Sequence, residues 1–270
     1  MQTNNQPWQL KMFHRSLKKQ QKLKALLQLL GDTKGKKCLL VTCGDNNGAL
    51  NWYFREHGGE WVWVDVSGEN NDQIAQLLDE PVHAYQPDAF RIADCQFDCV
   101  VSIDVLEHLP EDQPFLSELK RILKPGGLAV VTVPNGDRKL LANRIKWRLG
   151  MTPQVYGHTR AGYTTAELSE AVQAAGLVPQ KSGGYSRFVT EMIELVINYG
   201  YVRVLTKKQG GAQPGHIAPV SSGELKTHGM AYKLYSAIFP IASAASRLDG
   251  LFPARTNNAV IVTAVKQEPS

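Results

Sequence analysis

Cysteine is scarce in this chain, and its spacing suggests no framework. Cys38, Cys43, Cys95 and Cys99 form no CxxC pair, and no histidine stands near them at zinc-ligand spacing. Neither a disulfide scaffold nor a zinc module is expected, and no metal site is assigned. Two of the four fall inside expected buried strands, so they read as reduced core thiols of a cytoplasmic protein. Long hydrophobic runs are lacking too. The longest uncharged apolar-rich stretch, Leu234–Ser246, carries Pro240 and falls short of the roughly 18 residues of a membrane span. The first ten residues show no charged segment followed by an apolar core, so no secretory signal is read. Acids are fewer than bases, 25 against 30, for a net charge of +5. That balance permits an anionic partner without requiring one.

What is present is an ordinary globular composition, 43% hydrophobic over 270 residues. It suits one large domain, or one domain with an elaborated second half. Residues 7–30 carry apolar side chains at spacings of three and four and predict one helix, stopped by Gly31. Six Lys/Arg and no acid lie between Lys11 and Lys24. This basic segment, placed within 1–35, reads either as a solvated helix face covering a sheet edge or as a surface for phospholipid or another polyanion.

From residue 36 the pattern alternates. Strands are expected at 37–43, 60–66, 81–86, 97–103 and 128–133, with helices at 49–57, 71–78 and 111–123 between them. Such alternation predicts right-handed crossovers in a parallel sheet. Beyond Pro134 the rhythm loosens. A helix is expected at 138–149 and another at 165–175, capped by Thr164 or Thr165 and ended by Gly176, then strands at 177–181 and 258–266. An insert at 186–256 interrupts the last two, with helical stretches at about 186–205 and 225–249 around a Gly/Pro-rich loop. The expected fold is therefore α/β: a doubly wound, mostly parallel seven-stranded sheet with its last strand antiparallel, an N-terminal helix, and a helical insert before the last strand.

Three features mark a ligand site at the carboxyl ends of the strands. The turn Thr42-Cys43-Gly44-Asp45-Asn46-Asn47-Gly48 joins a buried strand to a helix, and its Gly and Asn residues let a ligand approach the backbone. Asp65 ends the second strand 21 residues after Gly44, where a carboxylate can accept from both ribose hydroxyls. Asp88-Ala89 follows the third strand, where a carboxylate and a backbone N–H can hold an adenine edge. A dinucleotide site would need G-x-G-x-x-G, whereas here only Gly44 and Gly48 are glycine. Asp104 would also repel a pyrophosphate while suiting a cation.

The fourth feature is FDCVVSIDVLEHL at 97–109, followed by LKRILKPGGLAVVTVPN. With the preceding turn and PDAFRIADCQFD, it resembles the class I S-adenosylmethionine-dependent methyltransferases, particularly the small-molecule group that includes ubiquinone-biosynthesis enzymes. The resemblance runs from about 38 to 135 and more weakly through Gly157–Arg160 and Tyr163–Gly176. It implies S-adenosyl-L-methionine as cofactor. Gly44 to Gly48, with Asp45, would line its methionine and ribose part. Asp65 would bind the ribose with Val66 against the adenine, Asp88 and Ala89 would hold the adenine edge, and Ile103 and Asp104 would lie beside the sulfonium end. Two positions depart from the family pattern: Thr42 stands where an acid is usual, and Asn46 where a middle glycine is usual.

Methyl transfer to a small molecule is the expected reaction, at oxygen, with His108 and His158 as candidate bases. Arg160 and Tyr163 are candidates for an anionic acceptor group. The apolar insert reads as a helical layer or dimer face, as a lid over a hydrophobic, lipid-like or lipid-linked acceptor, or as a peripheral membrane contact. Nucleic acid is disfavoured: no Asn/Asp-Pro-Pro-Tyr/Phe motif follows the fourth strand, and no Pro-Cys nucleophile is present. The departures at Thr42 and Asn46 keep a second reading open, a catalytically silent cofactor-binding or scaffold subunit partnered through 186–256. A third is an RNA methyltransferase using the basic helix.

Overall fold

The computed structural model describes residues 6–44, 46–84, 92–202 and 229–268. Asp45, Asp88 and Ala89 lie outside the described residues. A seven-stranded sheet runs in the order β3-β2-β1-β4-β5-β7-β6. Its strands are β1 (Lys37–Thr42), β2 (Glu60–Asp65), β3 (Val82–Ala84), β4 (Phe97–Ile103), β5 (Leu123–Pro134), β6 (Val178–Tyr185) and β7 (Ala259–Val265). The first five are parallel, β7 is antiparallel to β5, and β6 is antiparallel to β7. The doubly wound fold expected from the sequence is the one found.

The strands are buried on both faces because helices cover both. Alternation along each strand sorts the core into two layers. Leu39, Val41 and Val100 face one side, with Phe115, Leu119 and Leu168. Cys38, Leu40 and Val101 face the other, with Leu26, Phe54 and Ile74. The first layer is closed by α5 (Gln113–Ile122) and α7 (Thr165–Ala174), the second by α2 (Leu17–Leu30), α3 (Ala49–Glu56) and α4 (Asn71–Leu78). Cys38 and Cys99 are free thiols buried across the β1–β4 seam, their sulfurs 2.8 Å apart.

Several boundaries differ from expectation. The N-terminal helix is two: α1 (Trp8–Phe13) ends at His14, and the Ser16 side chain caps α2 by accepting from Lys19 N. Periodicity carried through the break because the apolar spacing persists across it. The helix at 165–175 has the full capping box, Thr164 with Glu167, and Gly176 follows at φ 79°. Pro125-Gly126-Gly127 does not separate α5 from β5. Strand pairing begins at Leu123 opposite Phe97 and passes a register shift to Leu128 opposite Cys99, a bulge that absorbs the turn residues. β6 runs four residues beyond the expected Lys181, pairing with β7 as far as Tyr185 and Ala259. Its Lys-Ser-Gly-Gly stretch hid the strand. After β5 comes α6 (Leu141–Arg148); within the insert, α8 (Phe188–Gly200) and α9 (Gly229–Ser246) are followed by short 3-10 turns at Arg247–Leu251 and Ala254–Thr256. Among the described residues no helix is long and apolar enough to cross a membrane.

Candidate functional site

The carboxyl ends of β1, β2 and β4 meet at one cavity of about 400 Å³, roofed by α1, α2, α8 and α9. Among the residues singled out in the sequence, Gly44, Asn47, Asp104, His108 and His158 line it. Thr42, Asn46 and Asp65 stand behind its wall, all buried. Gly48 starts α3 at φ 88°, where a Cβ would meet Leu77 and Ile74 at 3.1–3.3 Å. Ile103 is part of the core, and Val66 packs half-buried against the other layer, its N–H donating to Thr42 O.

The two departures from the family pattern support the residue expected to hold the ribose. Thr42 Oγ1 donates to Asp65 Oδ2 at 2.7 Å and accepts from Asn46 Nδ2 at 3.2 Å. Asn46 Nδ2 also donates to Asn51, and its carbonyl accepts from Gly48 N. The other Asp65 oxygen accepts from Ser67 N, Ser67 Oγ and Gly68 N. A carboxylate offers about four acceptor positions, so Oδ1 is saturated and Oδ2 keeps one. Gly44 approaches Ser67 so closely that a Cβ there would lie 3.2 Å from its hydroxyl.

Asp104 terminates β4 in a left-handed conformation, φ 50°, which most residues avoid. Its N–H donates to Thr132 O, fixing the turn. Its Oδ2 forms an ion pair with Lys22 of α2, and its Oδ1 is buried without a hydrogen-bond partner. The basic segment of the sequence thus turns inward. Lys18, one turn before Lys22, pairs with Glu191 of α8 at 2.8 Å, and Lys146 of α6 pairs with the other oxygen of Glu191 at 2.5 Å. Ser186 Oγ donates to the same carboxylate. Burial would push the Glu191 carboxyl up, but the ammoniums of Lys146 and Lys18 outweigh it and hold it below the ordinary carboxylate range. Tyr156, Tyr232 and Tyr235 complete the polar wall, while Met12, Phe13, Leu195 and Ile197 supply apolar surface.

The two candidate histidines meet. Their ring centroids lie 4.8 Å apart, edge to face. His108 Nδ1 lies 3.1 Å from Gly157 O. A carbonyl oxygen only accepts, so Nδ1 carries the proton and Nε2 of the neutral ring bears the lone pair. The loop carrying His158 is fixed by Thr159, whose N–H and hydroxyl both donate to Glu107 O. Glu107, His108 and His158 place donor atoms within 4.8 Å of one another, the only such set among the described residues with geometry suited to a metal ion. Arg160 and Tyr163 do not line the cavity. Arg160 donates to Asp112, Tyr163 Oη and Pro110 O, and Tyr163 Oη donates to Asp112.

Sequence reasoning missed Lys18, Lys22, Lys146, Glu191 and Ser67. The signals were there: two lysines four apart in a helix without acids, and acids at 191 and 194 in an otherwise apolar helix.

A family model described as a methyltransferase domain matches residues 13–181. The ubiquinone biosynthesis O-methyltransferase of Dinoroseobacter shibae is 29% identical over 160 residues, 56% of this chain and 63% of that protein. A probable S-adenosylmethionine-dependent methyltransferase of Mycolicibacterium smegmatis is 38% identical over 86 residues, 32% of this chain and 30% of that protein. The chain thus spans less than two thirds of the length of these curated relatives. Among solved structures, a putative methyltransferase from Bacillus halodurans aligns with a TM-score of 0.55 at 13% identity, covering 91% of this chain and 99% of that one. Phosphoethanolamine N-methyltransferase 2 of Haemonchus contortus, in complex with S-adenosyl-L-methionine, aligns with a TM-score of 0.54 at 17% identity, covering 92% and 52%. At these identities the structural likeness establishes the fold.

Proposed function

Because this chain belongs to the methyltransferase domain family matched over residues 13–181, we propose that it transfers a methyl group from S-adenosylmethionine to an oxygen of a small acceptor seated beneath α2, α8 and α9. The residues present fit the cofactor. Asp104 Oδ1, buried and without a hydrogen-bond partner on the cavity wall, suits a cationic group. Gly44 and Ser67 leave backbone accessible beside it. Asp65 stands buried behind that wall, tied to Ser67, and its Oδ2 keeps one acceptor position. Bound there, the cofactor supplies an already electrophilic methyl carbon.

The chain's own residues then hold the acceptor and take its proton. Proximity and alignment supply most of the acceleration of such a transfer. A hydroxyl acceptor gains further from a base, which contributes about 10²–10⁴-fold. The observation that carries this reading is the Gly157 carbonyl on His108 Nδ1, which fixes a proton there, so that Nε2 is the atom of the neutral ring that accepts one. His158, edge-on to that ring, shields or relays it. Apolar wall residues such as Met12, Leu195 and Ile197 suit a tail on the acceptor, in keeping with a lipid-like or lipid-linked molecule.

Incubation with methyl-tritiated cofactor and a phenol bearing an alkyl tail tests the reading. Label recovered as an aryl ether, and lost in His108→Asn while cofactor affinity stays, is expected; label on nitrogen or carbon contradicts it. The scaffold reading is weakened, since Thr42 donates to Asp65 and Asn46 donates to Thr42 behind it. The RNA reading is weakened because Lys18 and Lys22 are paired inside the cavity.

A further inference from the structure

Helix α9 is amphipathic in the inverted sense. Tyr232, Tyr235 and Phe239, spaced by three and four, face the N-terminal helices. Tyr232 and Tyr235 donate to Lys11 O and Arg15 O, and the Arg15 guanidinium lies over the Phe239 ring at 5.2 Å. The aliphatic stripe is on the other side. Leu234, Ile238 and Ile241, spaced by four and three, are exposed, and the following turn continues the ridge with Leu248 and Leu251, the last 81% exposed. A helix serving a water-soluble core turns its aliphatic stripe inward; this one turns hydroxyls and rings inward and aliphatics out.

The charge on that ridge has one sign. Between residues 229 and 256 the bases are Lys233, Arg247 and Arg255, all exposed, and the only acid is Asp249. Asp249 is buried and accepts from the N–H groups of Arg187, Val189 and Thr190 at the start of α8. The outer face therefore presents aliphatic side chains bracketed by cations, the pattern of a helix lying in a bilayer interface, where long basic side chains reach up to headgroups. A second copy of the chain is the poorer occupant, because a two-fold contact would set this uniformly positive ridge against itself.

We propose that the outer face of α9 and the turns to Arg255 form a docking surface for an anionic lipid bilayer. This does not depend on the methyl-transfer reading. Its consequence for that reading is positional: Tyr232 and Tyr235 on the inner face of the same helix line the cavity, so docking sets the cavity one helix diameter from the bilayer surface.

The test is co-sedimentation of the full chain with vesicles of phosphatidylglycerol and phosphatidylcholine, and of phosphatidylcholine alone. Binding to the anionic vesicles that weakens with salt is expected. A double variant, Ile241→Glu with Leu251→Glu, should bind at least about tenfold less, and Arg247→Gln with Arg255→Gln should lose the preference for the anionic lipid. Thermal melts establish that both variants fold. Wild type left in the supernatant, the Glu variant binding like wild type, or a dimer in light scattering that the Glu variant dissociates would each overturn the proposal.

Discussion

The Thr42 hydroxyl donates to Asp65 Oδ2 across 2.7 Å in a buried pocket. A position that carries an acid in the resembled family here carries a donor to the neighbouring acid. Two carboxylates this close would repel, whereas Thr42 and Asn46 form a relay that orients Asp65. Thr42→Val, nearly isosteric, removes a hydrogen bond to a charged group, an interaction of about 1.5–3 kcal/mol. Calorimetry should show cofactor Kd raised roughly tenfold or more, with the fold retained.

Lys22 is the internal partner of Asp104. A bound cofactor would bring a second cation to the same carboxylate. Lys22→Met should lower Tm without cofactor, since it strands Asp104 at a largely buried site. It should also enlarge the rise in Tm that saturating S-adenosylmethionine produces, measured by differential scanning fluorimetry. An unchanged cofactor-induced rise would separate Lys22 from the cofactor site.

Glu191 is held ionised by Lys146 and Lys18. A carboxyl lowered in the folded state contributes stability that is fully present above its unfolded value, about 4.3, and is lost as pH falls through the folded value. Glu191→Gln breaks a buried ion triad and should destabilise by about 3–5 kcal/mol at pH 7. The gap from wild type should stay constant down to about pH 5 and narrow steadily as pH falls through and below the ordinary carboxylate range. Urea melts across pH 3–8 check both statements.

Gly48 begins α3 at φ 88° with Ile74 and Leu77 against the place a Cβ would take. Gly48→Ala should cost about 1–2 kcal/mol for the left-handed backbone alone. Because Gly48 N also donates to Asn46, cofactor affinity should fall with stability, and the two losses can be read from one set of melts with and without cofactor.

The seven-stranded, mostly parallel sheet was legible because strands buried on both faces write continuous apolar runs, such as KCLLVTC and LAVVTV, between amphipathic helices. Thr42, Asp65 and Asp104 were legible because strand ends are fixed by those runs. The break at His14–Ser16 was hidden by apolar spacing that carries across it, and β6 by its glycines and lysine. The cavity's ionic half was not legible. Lys18, Lys146 and Glu191 lie on α2, α6 and α8, far apart in sequence, and only packing brings them together. The inward turn of α9's tyrosines was hidden for the same reason, since an aliphatic stripe alone does not say which way it points.

The central claim, that the pocket around Asp65 and Asp104 holds S-adenosylmethionine, is tested most directly by titrating the cofactor and S-adenosylhomocysteine into wild type and Asp65→Ala. One-to-one binding to wild type is expected, with loss of affinity in the variant and its fold intact by circular dichroism. Equal binding by both proteins, or binding of neither ligand to folded wild type, would contradict the claim.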